Sequence, residues 1–189
     1  DGGLATYGNY GTGLGAGVTV KYDALSVGVY GAQIEQNVAQ AASAANASID
    51  ADGDVFEGVW YAKYSFGPVS VGYSQSYLDQ GITGAAAATT AAKTVRTAAG
   101  LFEMETMSIA FNVNDNLSIS YTESEDTYDA QDNASSAVSD VTMETDAIQI
   151  AYSMGGMSIN AYNMETTNPG YDSDAASGSA TEIALGLSF

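Results

Sequence analysis

The sequence predicts an all-β protein, an antiparallel up-and-down barrel whose strands cross a membrane. Two observations predict this fold. Apolar residues alternate with small or polar residues in blocks of about ten, the strand length that spans a bilayer when tilted. The connections between these blocks alternate between short and long, as they do in barrels with short periplasmic turns and long external loops. The composition agrees, because 21 Gly, 13 Tyr and only 2 Pro favour pleated strands and tight turns.

The alternation predicts nine strands within a single domain, 1–189. The last block is the clearest, since Ile183, Leu185, Leu187 and Phe189 share one side while Glu182 lies on the other. The predicted strands are 14–22, 25–35, 55–66, 69–78, 103–113, 117–125, 143–154, 157–165 and 181–189.

The connections within each strand pair are two or three residues long and have turn chemistry, such as Gly67-Pro68 and Gly155-Gly156. The connections between pairs are long and rich in Ala, Ser, Thr, Asn and Asp: 36–54, 79–102, 126–142 and 166–180. A soluble sandwich has no reason to alternate in this way. Because bacterial barrels have an even strand number, we expect an odd number of further strands, about seven, on the N-terminal side.

Composition excludes several functions. The chain carries 23 acidic and 4 basic residues, a formal net charge of −19, which argues against nucleic-acid binding. It has no Cys and no His, which removes disulfides, the usual zinc sites and the commonest general base. No pairing of a nucleophile with a base is visible, so we expect no enzymatic activity. No run of 18 apolar residues is present, so a transmembrane helix is not expected.

In a membrane barrel the apolar side of each strand faces lipid, and the other side faces a wet interior. Small hydrophilic residues and two lysines fall on that other side. The residues predicted to line the interior are Lys21, Lys63, Tyr61, Ser70, Ser74, Ser108, Asn112, Ser118, Ser120, Thr122, Gln149, Asn160 and Glu182. The lysines have a plainer interpretation too, as solvated or snorkelling side chains. Aromatic residues near the short turns predict an interfacial girdle of Tyr22, Phe66, Tyr152 and Phe189.

The closing strand Ala184-Leu185-Gly186-Leu187-Ser188-Phe189 and the block Gly155–Tyr162 resemble the C-terminal portion of alphaproteobacterial general porins. The resemblance implies a homotrimer of barrels with about 16 strands each, of which the last nine are present here. It implies a water-filled channel in the outer membrane for passive diffusion of small hydrophilic solutes. It also implies that Leu187 and Phe189 belong to the signal read by the barrel-assembly machinery. The sequence departs from the family by lacking the region of the constriction loop, which puts pore size and selectivity in doubt.

Acidic residues predict weak cation selectivity. Only Asp23 and Asp115 lie in short turns, and nearly all others gather in the long segments and the adjoining strand ends. An acidic outer mouth attracts cations. The cluster Asp50, Asp52 and Asp54 predicts a loop site for Ca²⁺ or Mg²⁺, although it is no EF-hand, and no other cofactor is expected.

Two alternatives to a pore remain open. One is a secreted or surface-exposed acidic β-rich domain that serves a binding or structural role. The other is a small outer-membrane anchor barrel of 8–10 strands with a packed interior. Detergent dependence separates the first from any membrane barrel. The small polar side chains count against the second, since they would fill a narrow barrel poorly.

Overall fold

A computed structural model describes residues 10–36, 54–81, 100–130 and 140–188. These residues form one nine-stranded antiparallel sheet in which each strand pairs with its neighbours in sequence. The strands are β1 (Tyr10–Tyr22), β2 (Leu25–Gln36), β3 (Val55–Phe66), β4 (Val69–Asp79), β5 (Gly100–Asn114), β6 (Leu117–Ala130), β7 (Val141–Met154), β8 (Met157–Thr167) and β9 (Gly178–Leu187). This topology confirms the predicted fold class, with nine up-and-down strands. Asp50, Asp52 and Phe189 lie outside the described residues.

The strands extend further on their long-loop side than the alternation predicts. β5 begins at Gly100 instead of 103, and β6 continues to Ala130 instead of 125. The ladder between them runs through to Gly100 opposite Ala130. Backbone pairing does not require an apolar side chain, so a strand continues where Glu, Asp and Thr have erased the alternation. At the other end, β9 stops at Leu187, two residues before the predicted 189.

The short turns carry the backbone conformations that two-residue hairpins need. Asp23, Gly67 and Gly155 each open a turn with a positive φ of 52°, 55° and 56°. A positive φ at the first central position is what the primed turn types require. The third turn is different, because the amide of Asn116 donates to Asn114 Oδ1 at 2.9 Å, an Asx-type contact.

The register of the sheet shows how the strands tilt. Leu25, the first residue after the first turn, pairs with Tyr64 on β3, but β3 continues for two more residues, to Phe66, before the second turn. Each later turn is displaced along the strands by two further residues in the same direction. When the four turns lie at one membrane surface, a shift of two residues per two strands corresponds to a tilt of about 35°. That value falls in the range of transmembrane barrels. The register therefore has the stagger that closure into such a barrel requires.

The two faces of the sheet differ in chemistry. We call the side with Lys21, Lys63 and Ser120 the polar face, and the side with Ile109 and Ile150 the apolar face. Large hydrophobic side chains that are exposed lie on the apolar face, with the exceptions of Tyr30 and Met104. Among the described residues, only one large side chain, Tyr128, is fully buried.

The sheet therefore lacks a conventional core, and its apolar face is left uncovered. No helix among the described residues is long and apolar enough to cross a membrane.

The polar face is the more enclosed of the two. In β6, Ser118, Ser120 and Thr122 are half-buried, whereas Ile119 and Tyr121 on the other side are exposed. Side chains on the concave side of a curved sheet shield one another, while those on the convex side spread apart. The inverted pattern, with polar residues sheltered and apolar residues exposed, is that of a barrel wall with a wet interior.

Candidate functional site

The structure places all thirteen residues predicted to line the interior on the polar face. This follows from the continuous register across the nine strands, in which residues opposite each other share a face. Together they form one surface that runs from Lys21 on β1 to Glu182 on β9. Their contact with a water-filled channel stays a prediction.

The two lysines are neighbours on this surface. Ser26 on β2 lies opposite both Lys21 on β1 and Lys63 on β3, so one strand separates the two amines. Their Cα atoms are about 10 Å apart by strand spacing alone. Gly72 lies opposite Lys63 on its other side, and the Ser108 hydroxyl lies over this glycine.

Two tyrosines lie flat against the polar face beside the lysines. The ring of Tyr30 covers Gly17, and the ring of Tyr61 covers Gly28. A Cβ at Gly28 would fall 2.4 Å from the Tyr61 ring, so only glycine allows this close approach. The two rings are stacked with centroids 6.4 Å apart, and Thr19 hydrogen-bonds both hydroxyls. Gly17, Gly28, Tyr30, Tyr61 and Thr19 thus form a rigid patch that keeps its bulk out of the interior.

Elsewhere on the polar face, hydrogen-bonded pairs of polar side chains join neighbouring strands. The hydroxyl oxygens of Ser65 and Ser70 are 2.9 Å apart. The Tyr162 hydroxyl donates to Glu182 Oε2 at 3.1 Å. Similar cross-strand pairs join Thr106 to Ser124 and Thr145 to Thr166. These contacts hold small polar side chains close to the wall, which leaves space above them.

The apolar face has aromatic residues at two levels. Tyr22, Phe66 and Tyr152, which the girdle prediction named, lie near the short turns on this face. A second group, which sequence reasoning missed, lies higher on β3 and β4, where Phe56 packs on Tyr77 with ring centroids 6.0 Å apart. Phe56 and Phe66 are ten residues apart, about 27 Å along the barrel axis at this tilt. Membrane barrels have an apolar band of about 25 Å between two such girdles.

Most acidic residues of the strands lie on the apolar face, above the apolar band. We call this set the acidic belt. Its members are Glu35, Asp79, Glu103, Glu105, Glu123, Glu125, Asp129, Glu144, Asp146 and Glu165. Glu125 lies directly between Glu105 and Glu144, and Asp146 between Glu123 and Glu165, so like charges oppose each other across strands. Within the nine strands, only Glu57, Asp126 and Glu182 are carboxylates on the polar face.

The predicted metal site is only partly described. Asp54 accepts a hydrogen bond from Gln33 Nε2 at 2.7 Å, while Asp50 and Asp52 lie outside the described residues. In the described part of the chain, no group of three or more acidic side chains has a geometry that could hold a metal ion. The loop cation therefore stays a prediction.

Sequence reasoning also missed a cluster at the long-loop end of the polar face. Tyr128 covers Gly100, and its ring lies 5.4 Å from that of Phe102. Tyr171, from the connection between β8 and β9, reaches over β7 and β6 to Phe102 on β5, with ring centroids 5.3 Å apart. The predicted strand 117–125 ends before Tyr128, so the alternation gave no position for this residue. Tyr171 lies in a connection, which has no periodicity that could predict its position.

The tilted nine-stranded sheet and its exposed apolar face give this chain the fold of an outer-membrane β-barrel wall. In fold, the chain is similar to outer-membrane expressed OmpT of Vibrio cholerae, with a TM-score of 0.51 and 13% sequence identity. The likeness covers 92% of this chain and 54% of that chain, so the chain spans about half the length of the protein it matches. No protein-family model and no curated protein matches the sequence.

Proposed function

We propose that the chain forms part of the wall of a porin, a water-filled channel through which small hydrophilic solutes diffuse passively. The observation that carries this proposal is the sheltered polar face of small side chains, backed by an exposed apolar face. The resemblance to alphaproteobacterial general porins supports it. That resemblance also underlies the proposed homotrimer, the total of about 16 strands and recognition by the barrel-assembly machinery. The proposed absence of enzymatic activity rests on the lack of Cys and His and of any pairing of a nucleophile with a base.

Two structural features favour a wide channel over the alternatives. A secreted soluble domain would not leave residues such as Ile183, Leu185 and Leu187 between 61% and 72% exposed. A packed barrel of 8–10 strands needs bulky interior side chains, whereas this face carries Gly13, Gly15 and many serines. The match to about half of a longer barrel protein also favours a larger total.

The charge of the polar face supports weak cation selectivity. Three carboxylates and two lysines lie on this face within the nine strands, a net charge of −1. The acidic belt lies on the outer side of the wall at its long-loop end. Its field still concentrates cations near the entrance.

Reconstitution in planar bilayers tests the function. The native protein, extracted from outer membranes in detergent, should give discrete ohmic current steps. In a KCl gradient, its reversal potential should shift toward the equilibrium potential of K⁺. Lys63→Glu should increase the cation preference, because it replaces a positive charge on the wall by a negative one, a net change of −2. Glu125→Gln, which removes one negative charge from the apolar face, is the control for a charge change outside the channel and should alter the cation preference little. Absence of current, or anion preference in the unmodified protein, would contradict the proposal.

The mass of the same preparation tests the remaining features. A chain near twice 19.4 kDa and a heat-modifiable trimer on gels are expected. A protein of 19.4 kDa that is soluble without detergent would favour the secreted domain instead.

A further inference from the structure

A cavity lies on the polar face at its long-loop end, with a volume of about 700 Å³. β2 to β6 form its floor, and Tyr171 closes it from the side of β8 and β9. The Asn168 side chain donates to the Thr142 carbonyl at 2.8 Å, which holds this connection against β7. Lys21 and Lys63 do not line this cavity and lie nearer the short turns.

Asp126 is the distinctive group of this cavity. Its Oδ2 accepts a hydrogen bond from the Tyr171 hydroxyl at 2.6 Å. Its Oδ1 is enclosed and has no hydrogen-bond donor among the described residues. Met104 and Met143 lie opposite Asp126 on the two neighbouring strands, and neither side chain can donate. A partly enclosed carboxylate with one oxygen short of a donor is unfavourable, so a cation beside this carboxylate, which lines the cavity, would stabilise it.

The walls of the cavity are aromatic and acidic. Tyr30, Phe102 and Tyr171 contribute rings, and Glu57 contributes a second carboxylate from β3, three strands from Asp126. No lysine or arginine among the described residues lines it. Aromatic faces and carboxylates both attract cations, and neither favours an anion. Leu78 and Met104 add an apolar surface for the body of a ligand.

We propose that this cavity binds an organic cation, a primary ammonium carried on an aromatic body. The ammonium donates to Asp126, and the body packs between Phe102, Met104 and Tyr171. The inference rests on the proposed function in one respect, since the ligand would be a solute that enters the channel. It deepens that function by assigning a preferred class of solute to the entrance.

Calorimetry on the detergent-solubilised protein tests the site without requiring current. The probes are phenethylamine, its neutral isostere phenethyl alcohol, and the anion 3-phenylpropionate. Phenethylamine should bind about tenfold or more tightly than the alcohol, because a charge-assisted hydrogen bond is lost with the amine. The anion 3-phenylpropionate should not bind measurably.

Substitutions locate the site. Asp126→Asn should lower the affinity for phenethylamine about tenfold, and Glu57→Gln should lower it less. Glu125→Gln is the matched control, since it removes the adjacent charge on the opposite face and should leave the affinity unchanged. The comparison of amine with alcohol uses the unmodified protein, so it does not depend on the folding of any variant.

The outcomes separate this inference from the channel. Equal affinity for the amine and the alcohol, or equal losses in Asp126→Asn and Glu125→Gln, would overturn the cation site even if the protein conducts ions. Selective binding of phenethylamine that depends on Asp126 would support the site even if no ion current were found.

Discussion

Glycine and tyrosine act as pairs in the wall. Gly28 lets the Tyr61 ring lie flat, and Gly17 does the same for Tyr30. The rings shield the glycine backbone while adding little to the thickness of the wall. An aromatic ring over a glycine restores the packing that the glycine lacks, so these pairs stabilise the strands. Because the rings lie flat, the pairs also leave the interior open.

Gly28→Ala tests one of these pairs. The new Cβ would lie 2.4 Å from Tyr61 Cε1, so the ring must swing away from the wall into the interior. We expect a loss of stability of about 1–3 kcal/mol, as for overpacked sites, and a smaller single-channel conductance. Urea unfolding and bilayer currents measure the two effects.

Gly31→Ala is the control in the same strand, because its nearest neighbour is the Glu57 carbonyl oxygen at an ordinary 3.6 Å. The double variant Gly28→Ala, Tyr61→Ala should regain the conductance. If the single variant conducts normally and the double variant does not differ from it, the tyrosine does not limit the opening.

At the scale of the strand, the two faces should differ in their tolerance of a charged side chain. β7 shows this clearly, because Gln149 lies on the polar face and Ile150 on the apolar face. Ile150 is four residues from the short turn, well inside the apolar band, and it is 43% exposed. A charge there would meet lipid, whereas a charge at 149 would meet water.

Ile150→Lys should therefore lower the stability of the protein folded into lipid vesicles by about 2–4 kcal/mol, the cost of a lysine near the bilayer midplane. Gln149→Lys, one residue away, should change it little. Urea titration of the vesicle-inserted protein measures both. Equal tolerance of the two lysines would mean that the apolar face does not contact lipid.

At the scale of the whole molecule, alternation predicted the nine strands and their faces because a period of two is visible in each strand alone. Lys21, Lys63 and Ser120 lie on the predicted face for this reason. The sequence placed the acidic residues at the long-loop ends of the strands but not on the apolar face, because the apolar residues that define the faces stop before Glu105 and Glu125. The partnership of Gly28 with Tyr61 depends on which strands pair and in what register. Tyr171 reaches its position through an irregular connection.

The proposed function depends on one assignment, which is that the polar face lines an aqueous channel. The chain contains no cysteine, so a single introduced thiol can be probed without a background in this chain. Gln149→Cys and Ile150→Cys place that thiol on opposite faces of one strand, a residue apart.

The decisive measurement is the bilayer current of each variant while a charged, membrane-impermeant thiol reagent is added. We expect the current through Gln149→Cys to fall in discrete steps as the reagent enters the channel and reacts. The current through Ile150→Cys should not change, because lipid shields that position. A drop with Ile150→Cys, or no drop with Gln149→Cys, would contradict the assignment of the polar face to the channel.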